Sequence, residues 1–194
     1  MFAYCNNNPT IYADFNGRDR ILIIYDSTGD LGMAGLTASL SLDFCSRFQD
    51  DISVDYCPCS SISEFKDAWN QQDNKDPYDY VLIYAHGSMS SSSIYINNSK
   101  YEATNDVYGF SGLKKRKVNK GIILASCYAA VEYEGVSVAK CFANLGQCTV
   151  TASSSIVYIT PFGGRFWLDK GCKWKHIKPR SRAKIHGTDT LLRF

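Results

Sequence analysis

The strongest constraint on the fold is a pair of short apolar runs, each followed by a residue that can do chemistry. The first run, Val81–Tyr84, follows the turn-forming Asp76–Asp79 and leads into His86-Gly87, and the second, Gly121–Ala125, leads into Cys127. Short apolar runs bounded by turn residues are typical of buried strands in a parallel sheet. If the two strands are parallel neighbours, His86 and Cys127 lie on one carboxyl edge, where ligands bind in open α/β folds.

Strands and helices alternate along the rest of the chain. We predict strands at Arg20–Asp26, Ile52–Tyr56 and Cys148–Tyr158, helices at 32–48, Ile62–Gln72, Asp106–Lys117 and Gly135–Leu145, and a hairpin at Ser93–Tyr101 that turns at Asn97-Asn98. Alternation of this kind is typical of βαβ units. The expected fold is therefore α/β: a three-layer α/β/α sandwich with a mainly parallel sheet, formed by one domain that spans residues 1–194.

The composition is that of an ordinary globular domain with an uneven distribution of charge. Hydrophobic residues make up 45% of the chain, charged residues make up 21%, and the net charge is +2. Residues 165–194 hold nine Lys or Arg and two Asp, a charge of +7, so the rest of the chain carries −5. Such a basic segment either contacts an acidic partner or forms a solvated face over the acidic body, and the second is commoner.

The sequence gives no indication of a membrane protein, a secreted protein or a metal-binding protein. No apolar run approaches the ~20 residues that span a membrane, and the first residues show no secretory signal, so we expect a cytoplasmic protein with no membrane span. Eight cysteines scattered over this length predict reduced, mostly buried thiols. Cys57-Pro58-Cys59 is too tightly spaced for a zinc half-site and no second half-site follows, so we expect neither metal nor cofactor.

The residues at the shared edge suit nucleophilic catalysis. A thiolate at the end of a strand can be activated by nearby backbone N–H groups, and a histidine within reach can move protons for the leaving group. The N–H groups of Gly87 and Cys127 are candidate donors to a developing oxyanion. Taken singly, a cysteine here is more often inert packing and a histidine is more often an ordinary polar residue. Their pairing on two consecutive strands favours catalysis.

The two motifs resemble those of the caspase–hemoglobinase clan of cysteine peptidases. The resemblance rests on an apolar strand before His86-Gly87, an apolar strand before Ala125-Ser126-Cys127, the order of the two motifs, and the length of chain between His86 and Cys127. The segment after the thiol is most similar to the CHAT group of that clan, and its matching parts are Glu134-Gly135, Val138–Phe142, Leu145-Gly146 and Cys148–Ser154. The likeness covers about Arg20 to Tyr158. The sequence departs from the clan pattern at Tyr128, which stands between Cys127 and the small residues Ala129 and Ala130. The clan usually places a small residue soon after the cysteine.

The resemblance implies a cysteine endopeptidase that acts on a protein or peptide substrate without a cofactor. Cys127 is implied as nucleophile, His86 as general acid and base, and Gly87 with Cys127 as oxyanion donors, and an activating protein partner is one option. In the clan, part of the specificity pocket comes from the loop after the first strand, which here holds Asp26 and Asp30. A pocket lined by either carboxylate would favour a Lys or Arg side chain. Alternatively, Asp30 only caps a helix.

Rival functions are less well supported by the residues. A phosphatase loop requires Cys-x5-Arg, but Tyr133 stands at the Arg position, and neither a Gly-rich nucleotide loop nor a Gly-x-Ser-x-Gly elbow is present. His186-Gly187 follows no apolar strand. The alternative from a different class is a non-catalytic caspase-like module that binds or regulates a partner, with its basic segment engaging acidic groups.

Overall fold

The part of the chain that the structure describes alternates strands with helices. The computed structural model describes residues 19–29, 53–104, 109–159, 166–168 and 171–180. Its elements are β1 (Arg20–Asp26), β2 (Ser53–Cys59), α1 (Ile62–Asn70), β3 (Tyr80–Tyr84), β4 (His86–Gly87), β5 (Ser93–Ile96), β6 (Ser99–Glu102), β7 (Gly121–Ala125), α2 (Val138–Gly146), β8 (Val150–Ser153), β9 (Val157–Ile159), β10 (Phe166–Leu168) and β11 (Trp174–Ile177).

Within these ranges the main sheet has six strands in the order β11-β8-β7-β3-β1-β2. Strands β2, β1, β3, β7 and β8 run parallel, and β11 joins β8 antiparallel at the edge. The fold is therefore α/β with a mainly parallel, mixed sheet. The helix predicted at 32–48, which would belong to an outer layer of the expected sandwich, lies outside the described residues.

Both faces of the sheet are buried, which explains why its strands read as continuous apolar runs. In β1, Leu22 and Ile24 point into a cluster with both helices, whereas Ile21, Ile23 and Tyr25 point into a second cluster on the opposite face. The first cluster centres on large, fully buried rings of α1 and α2 in edge-on contact, namely Phe65, Trp69 and Phe142. The second includes Leu82, Tyr84, Ala125 and Val157.

The helix predictions at 62–72 and 135–145 are confirmed, with small shifts at the ends. Ser61 caps α1 by accepting a hydrogen bond from the Glu64 N–H at 3.2 Å, as its capping-box sequence predicts. Ser137 caps α2 in the same way through the Lys140 N–H. Gly146, expected just past the helix, is its last residue, and Gln147 takes the left-handed conformation with φ 56°.

The predicted hairpin is also confirmed. Strands β5 and β6 pair antiparallel, with Ile96 opposite Ser99, so the turn consists of Asn97-Asn98 alone. Both asparagines have positive φ, 48° and 59°. A two-residue turn with two positive φ angles matches the right-handed twist of the strands, and asparagine tolerates this conformation better than most residues.

The helix predicted at Asp106–Lys117 is wrong where the structure describes it. Residues 109–118 are irregular, and Gly109 and Gly112 have positive φ of 72° and 84°, which a right-handed helix does not allow. Side chains of α1 hold this segment, since Asn70 donates to the Gly112 carbonyl and accepts from the Lys114 N–H, both at 2.8 Å. Tertiary hydrogen bonds therefore replace those that a helix would form within itself.

The basic cluster Lys114–Lys117 is not helical, but it lies beside the C-terminal ends of α1 and α2. The Arg116 guanidinium donates to the carbonyl of Asn70, the last residue of α1, and the Arg116 N–H donates to Leu145 in the last turn of α2. Cations are stabilised where helix carbonyls are left unpaired. Arg116 thus joins the C-terminal ends of both described helices.

The end of the chain differs from prediction in two ways. The strand predicted at Cys148–Tyr158 is split into β8 and β9 by an irregular turn at Ser154–Ile156. Within the basic segment 165–194, strand β10 pairs with β9, and β11 extends the main sheet. Ile177 of β11 packs against the helix-side cluster. Part of the basic segment is therefore integral to the fold.

Among the described residues, no helix has both the length and the apolar character needed to cross a membrane.

Replacing Asn70 by alanine tests how residues 109–118 are held. The substitution removes two hydrogen bonds at once and leaves a backbone donor and acceptor unpaired, so we expect the free energy of unfolding to fall by about 1–3 kcal/mol. Urea denaturation measures the change. Asp67→Ala, on the exposed side of the same helix, is the matched control and should change stability by no more than about 0.5 kcal/mol. Equal stability of the two variants would contradict the conclusion that the Asn70 side chain holds residues 109–118 in place.

Candidate active site

The carboxyl ends of the parallel strands gather the predicted site residues at one edge of the sheet. Strands β3 and β7 pair from Tyr80 opposite Gly121 to Tyr84 opposite Ala125, with the same offset in residue number at every pair. The positions of His86 and Cys127 in the sequence differ by that same offset. The two residues therefore occupy equivalent positions, each two places beyond the last paired residue of its strand.

Direct contact between Gly87 and Cys127 brings the two motifs together. An added Cβ on Gly87 would lie 1.9 Å from the Cys127 carbonyl oxygen and 2.7 Å from Ser126 Oγ. Real Cβ atoms do not approach other atoms so closely, so only glycine fits at this position. The backbone after His86 thus lies against the backbone of the candidate nucleophile.

The Cys127 side chain is half-buried and is held from one side by β9. The Val157 N–H donates to Cys127 Sγ at 3.4 Å, and Sγ lies 3.8 Å from the Val157 carbonyl oxygen. Cys127 also packs against the second apolar cluster, which includes Ala125 and Val157.

Tyr128, immediately after the candidate nucleophile, has left-handed backbone geometry with φ 55°. Its N–H donates to the Ser155 carbonyl at 3.0 Å, and Ala130 N–H donates to Ser153 at 2.8 Å. A bulky residue in this conformation costs about 1–2 kcal/mol. The chain therefore turns sharply after Cys127, and the turn is fastened to the segment that follows β8.

His86 is exposed to solvent, and its backbone pairs with Tyr95 of β5. Within the described ranges its ring has no hydrogen-bond partner. His86 lies two residues beyond β3, in the short strand β4, which belongs to a separate three-stranded sheet with β5 and β6. The imidazole is thus exposed, and the next residue, Gly87, contacts the Cys127 backbone.

Asp26 lies at the same edge, at the end of β1, but its carboxylate is bonded within the protein. Oδ1 accepts from the Thr28 N–H at 2.9 Å and from Thr28 Oγ1 at 2.6 Å, and Oδ2 accepts from the Asn97 N–H at 3.0 Å. The residue is 1% exposed. It ties the β5–β6 hairpin to β1, and its role in a substrate pocket stays a prediction. Asp30 lies outside the described residues.

Sequence reasoning missed the serine-rich wall contributed by β8. Ser153 is fully buried and its hydroxyl bonds Ser155, while Ser126 is 1% exposed and its hydroxyl has no hydrogen-bond partner within the described structure. The Ser153–Ser155 run follows a strand that pairs parallel to β7. The rule that places His86 and Cys127 on one edge would also have placed these serines there, because they too follow a parallel strand.

Three of the other thiols are more deeply buried than Cys127. Burial raises the pKa of Cys59 and Cys148 to about 12 and that of Cys141 to about 11. Cys172 is exposed, and all cysteines in the described ranges are free thiols. Because the thiolate is the reactive form, burial protects the three core thiols. No group of three His, Cys, Asp or Glu side chains in these ranges is arranged to hold a metal ion.

No protein-family model matches the chain, and no curated protein sequence is significantly similar to it.

Gly87→Ala tests the backbone contact at the centre of the site. The added methyl group must push the Cys127 carbonyl away, so we expect a loss of about 1–3 kcal/mol in the free energy of unfolding and altered reactivity of the Cys127 thiol. Thermal unfolding and mass-spectrometric mapping of alkylated cysteines measure the two effects. Gly121→Ala, whose Cβ would lie 3.3 Å from the Thr149 carbonyl, is the milder control. Unchanged stability and labelling in Gly87→Ala would mean that the two strand ends do not touch.

Proposed function

We propose that the protein is a cysteine endopeptidase of the caspase–hemoglobinase type, nearest the CHAT group, with Cys127 as nucleophile and His86 as general acid and base. The observation that carries the proposal is the contact of Gly87 with the Cys127 backbone, at the shared carboxyl edge of two in-register parallel strands. A mainly parallel α/β sheet is also what the sequence resemblance implies.

The proposed reaction begins with transfer of the Cys127 thiol proton to the His86 imidazole. The thiolate attacks the carbonyl carbon of the scissile peptide bond and forms a C–S bond, while the carbonyl electrons move to oxygen. The C–N bond then breaks, and the imidazolium gives its proton to the leaving amine. Water attacks the resulting thioester, His86 takes a proton from that water, and cleavage of the C–S bond releases the carboxylic acid and the thiolate.

The backbone around Cys127 supports the proposed stabilisation of the oxyanion. Because Gly87 lies against the Cys127 carbonyl, the peptide groups of the two residues are neighbours. N–H groups of Gly87 and Cys127 directed at a substrate carbonyl would stabilise the negative charge that develops on its oxygen. The left-handed turn at Tyr128, held by the hydrogen bond from its N–H to the Ser155 carbonyl, sets the chain direction after the proposed nucleophile.

One observation favours the alternative of a non-catalytic binding or regulatory module. The Cys127 sulfur already contacts the Val157 backbone, and the His86 ring has no partner among the described residues. In that case the edge would bind a peptide or a protein without cleaving it, and the basic segment would contact acidic groups of the same partner. Thiol reactivity separates the two functions.

Labelling and cleavage by matched variants test the proposal. We expect a peptidyl acyloxymethyl ketone to modify Cys127 rapidly, His86→Ala to slow that modification and peptide hydrolysis by about 100- to 10,000-fold, and Cys127→Ala to abolish both. Cys172→Ala and His176→Ala, which replace an exposed thiol and an exposed imidazole on another part of the sheet, should leave both rates unchanged.

A different labelling result would contradict the peptidase function. If Cys127 reacts no faster than exposed Cys172, and if His86→Ala has no effect on its reaction, the residues do not form a catalytic pair. The module interpretation would then replace the peptidase.

A further inference from the structure

The large apolar side chains that remain exposed in the described part of the chain are all close in sequence to segments that contact Cys127. They are Met89 at 72% exposure, Ile156 at 36% and Tyr158 at 40%. Single exposed hydrophobic residues are common on protein surfaces, so these three are distinguished only by their proximity in sequence to the segments that contact Cys127. The described surface thus concentrates its exposed apolar groups around the candidate nucleophile.

Two of these residues belong to the two different segments that contact Cys127. Met89 follows Gly87 of β4 by two residues, so their Cα atoms are at most about 8 Å apart. Ile156 immediately precedes Val157, whose N–H contacts Cys127 Sγ, in the segment that follows β8. Strands β3 and β8 are the two neighbours of β7 in the sheet. Each of the two segments therefore carries an exposed apolar residue within two residues of its contact with Cys127.

The backbone that carries these residues is held by hydrogen bonds. The Tyr133 hydroxyl donates to the Met89 carbonyl, and Ser88 Oγ accepts from the Ser90 N–H at 3.2 Å. On the other side, the carbonyl of Ser155, the residue before Ile156, accepts from the Tyr128 N–H at 3.0 Å. Contacts presented on a fixed backbone cost less ordering entropy when a ligand binds.

The described residues at this edge offer few carboxylates that could bind a positively charged substrate side chain. Both oxygens of Asp26 already accept hydrogen bonds from Thr28 and Asn97, and the carboxylate is buried. The nearest acidic residues after the nucleophile in the chain, Glu132 and Glu134, are at least partly solvent-exposed, where one charge pair contributes little. Within the described residues, the segments that contact Cys127 carry exposed apolar groups and neutral serine hydroxyl groups.

We propose that the site recognises a large apolar side chain on one of the two residues that precede the scissile bond, with Met89 and Ile156 as specificity-determining residues. The proposal rests on the peptidase function above. In the alternative, Asp26 or Asp30 lines a pocket that binds Lys or Arg, and this predicts a preference for a positively charged side chain.

A positional-scanning library of fluorogenic peptides, tested on the full chain, decides between them. We expect Leu, Met or Phe at one of the two positions to give kcat/KM at least about tenfold above Lys, Arg or Asp. Met89→Ser and Ile156→Ser should each raise KM for the preferred peptide by about three- to tenfold, with kcat nearly unchanged and with no effect on the matched Ala peptide. Lys75→Ser, an exposed substitution in the turn before β3, is the control.

Cys127 labelling by an acyloxymethyl ketone separates failure of this proposal from failure of the peptidase function. Rapid labelling together with preference for Lys, Arg or Asp, or with no side-chain preference, would overturn the apolar proposal alone. Normal KM values in both serine variants would overturn the assigned roles of Met89 and Ile156. Absence of labelling and of all cleavage would overturn both proposals.

Discussion

The parallel pairing of β3 with β7 is the constraint on which the candidate site depends. Its constant offset in residue number puts His86 and Cys127 at equivalent places beyond the strand ends. The lack of a side chain at Gly87 then lets the two backbones touch, since any Cβ there would lie 1.9 Å from the Cys127 carbonyl oxygen. Burial of both sheet faces fixes the register, because a slip by one residue would exchange the two apolar clusters.

Much of this arrangement could be predicted from the sequence because the apolar runs are unambiguous. Strands such as β1 and β3 are too short for helices, are rich in β-branched or aromatic residues, and are bounded by turn residues. Their carboxyl ends had to share an edge once they were parallel, which places His86 near Cys127. The turn at Asn97-Asn98 and the serine caps of the helices were equally local signals.

The wrong or missing predictions concern interactions between residues distant in the sequence. Residues 109–118 have a pattern that local rules assign to a helix, but the Asn70 side chain and the C-termini of both described helices take up their backbone hydrogen bonds. Likewise, no local signal shows that the Asp26 carboxylate would be bonded by the hairpin turn, or that Val157 would contact the Cys127 sulfur. Local sequence propensity predicted where these segments lie. Contacts between residues distant in the sequence determine their conformation and their hydrogen bonds.

Ion pairs and the candidate reactive groups lie at opposite edges of the sheet. The amino edge is closed by ion pairs, Arg20 with Asp55 and Asp76 and Lys120 with Asp19. The carboxyl edge has an exposed imidazole, a half-buried thiol, serine hydroxyls and exposed apolar side chains. Structural charges at one edge and reactive but largely neutral groups at the other are consistent with binding and chemistry at the carboxyl edge.

The distance between the His86 ring and the Cys127 sulfur in a crystal structure, with a peptidyl ketone bound to Cys127, tests the central claim most directly. We predict an imidazole nitrogen within about 3–4 Å of Sγ or of the group that replaces the leaving amine. An imidazole that points away from the adduct, with neither nitrogen within about 7 Å of the sulfur, would contradict the proposed pairing, since proton transfer requires hydrogen-bond reach directly or through one water.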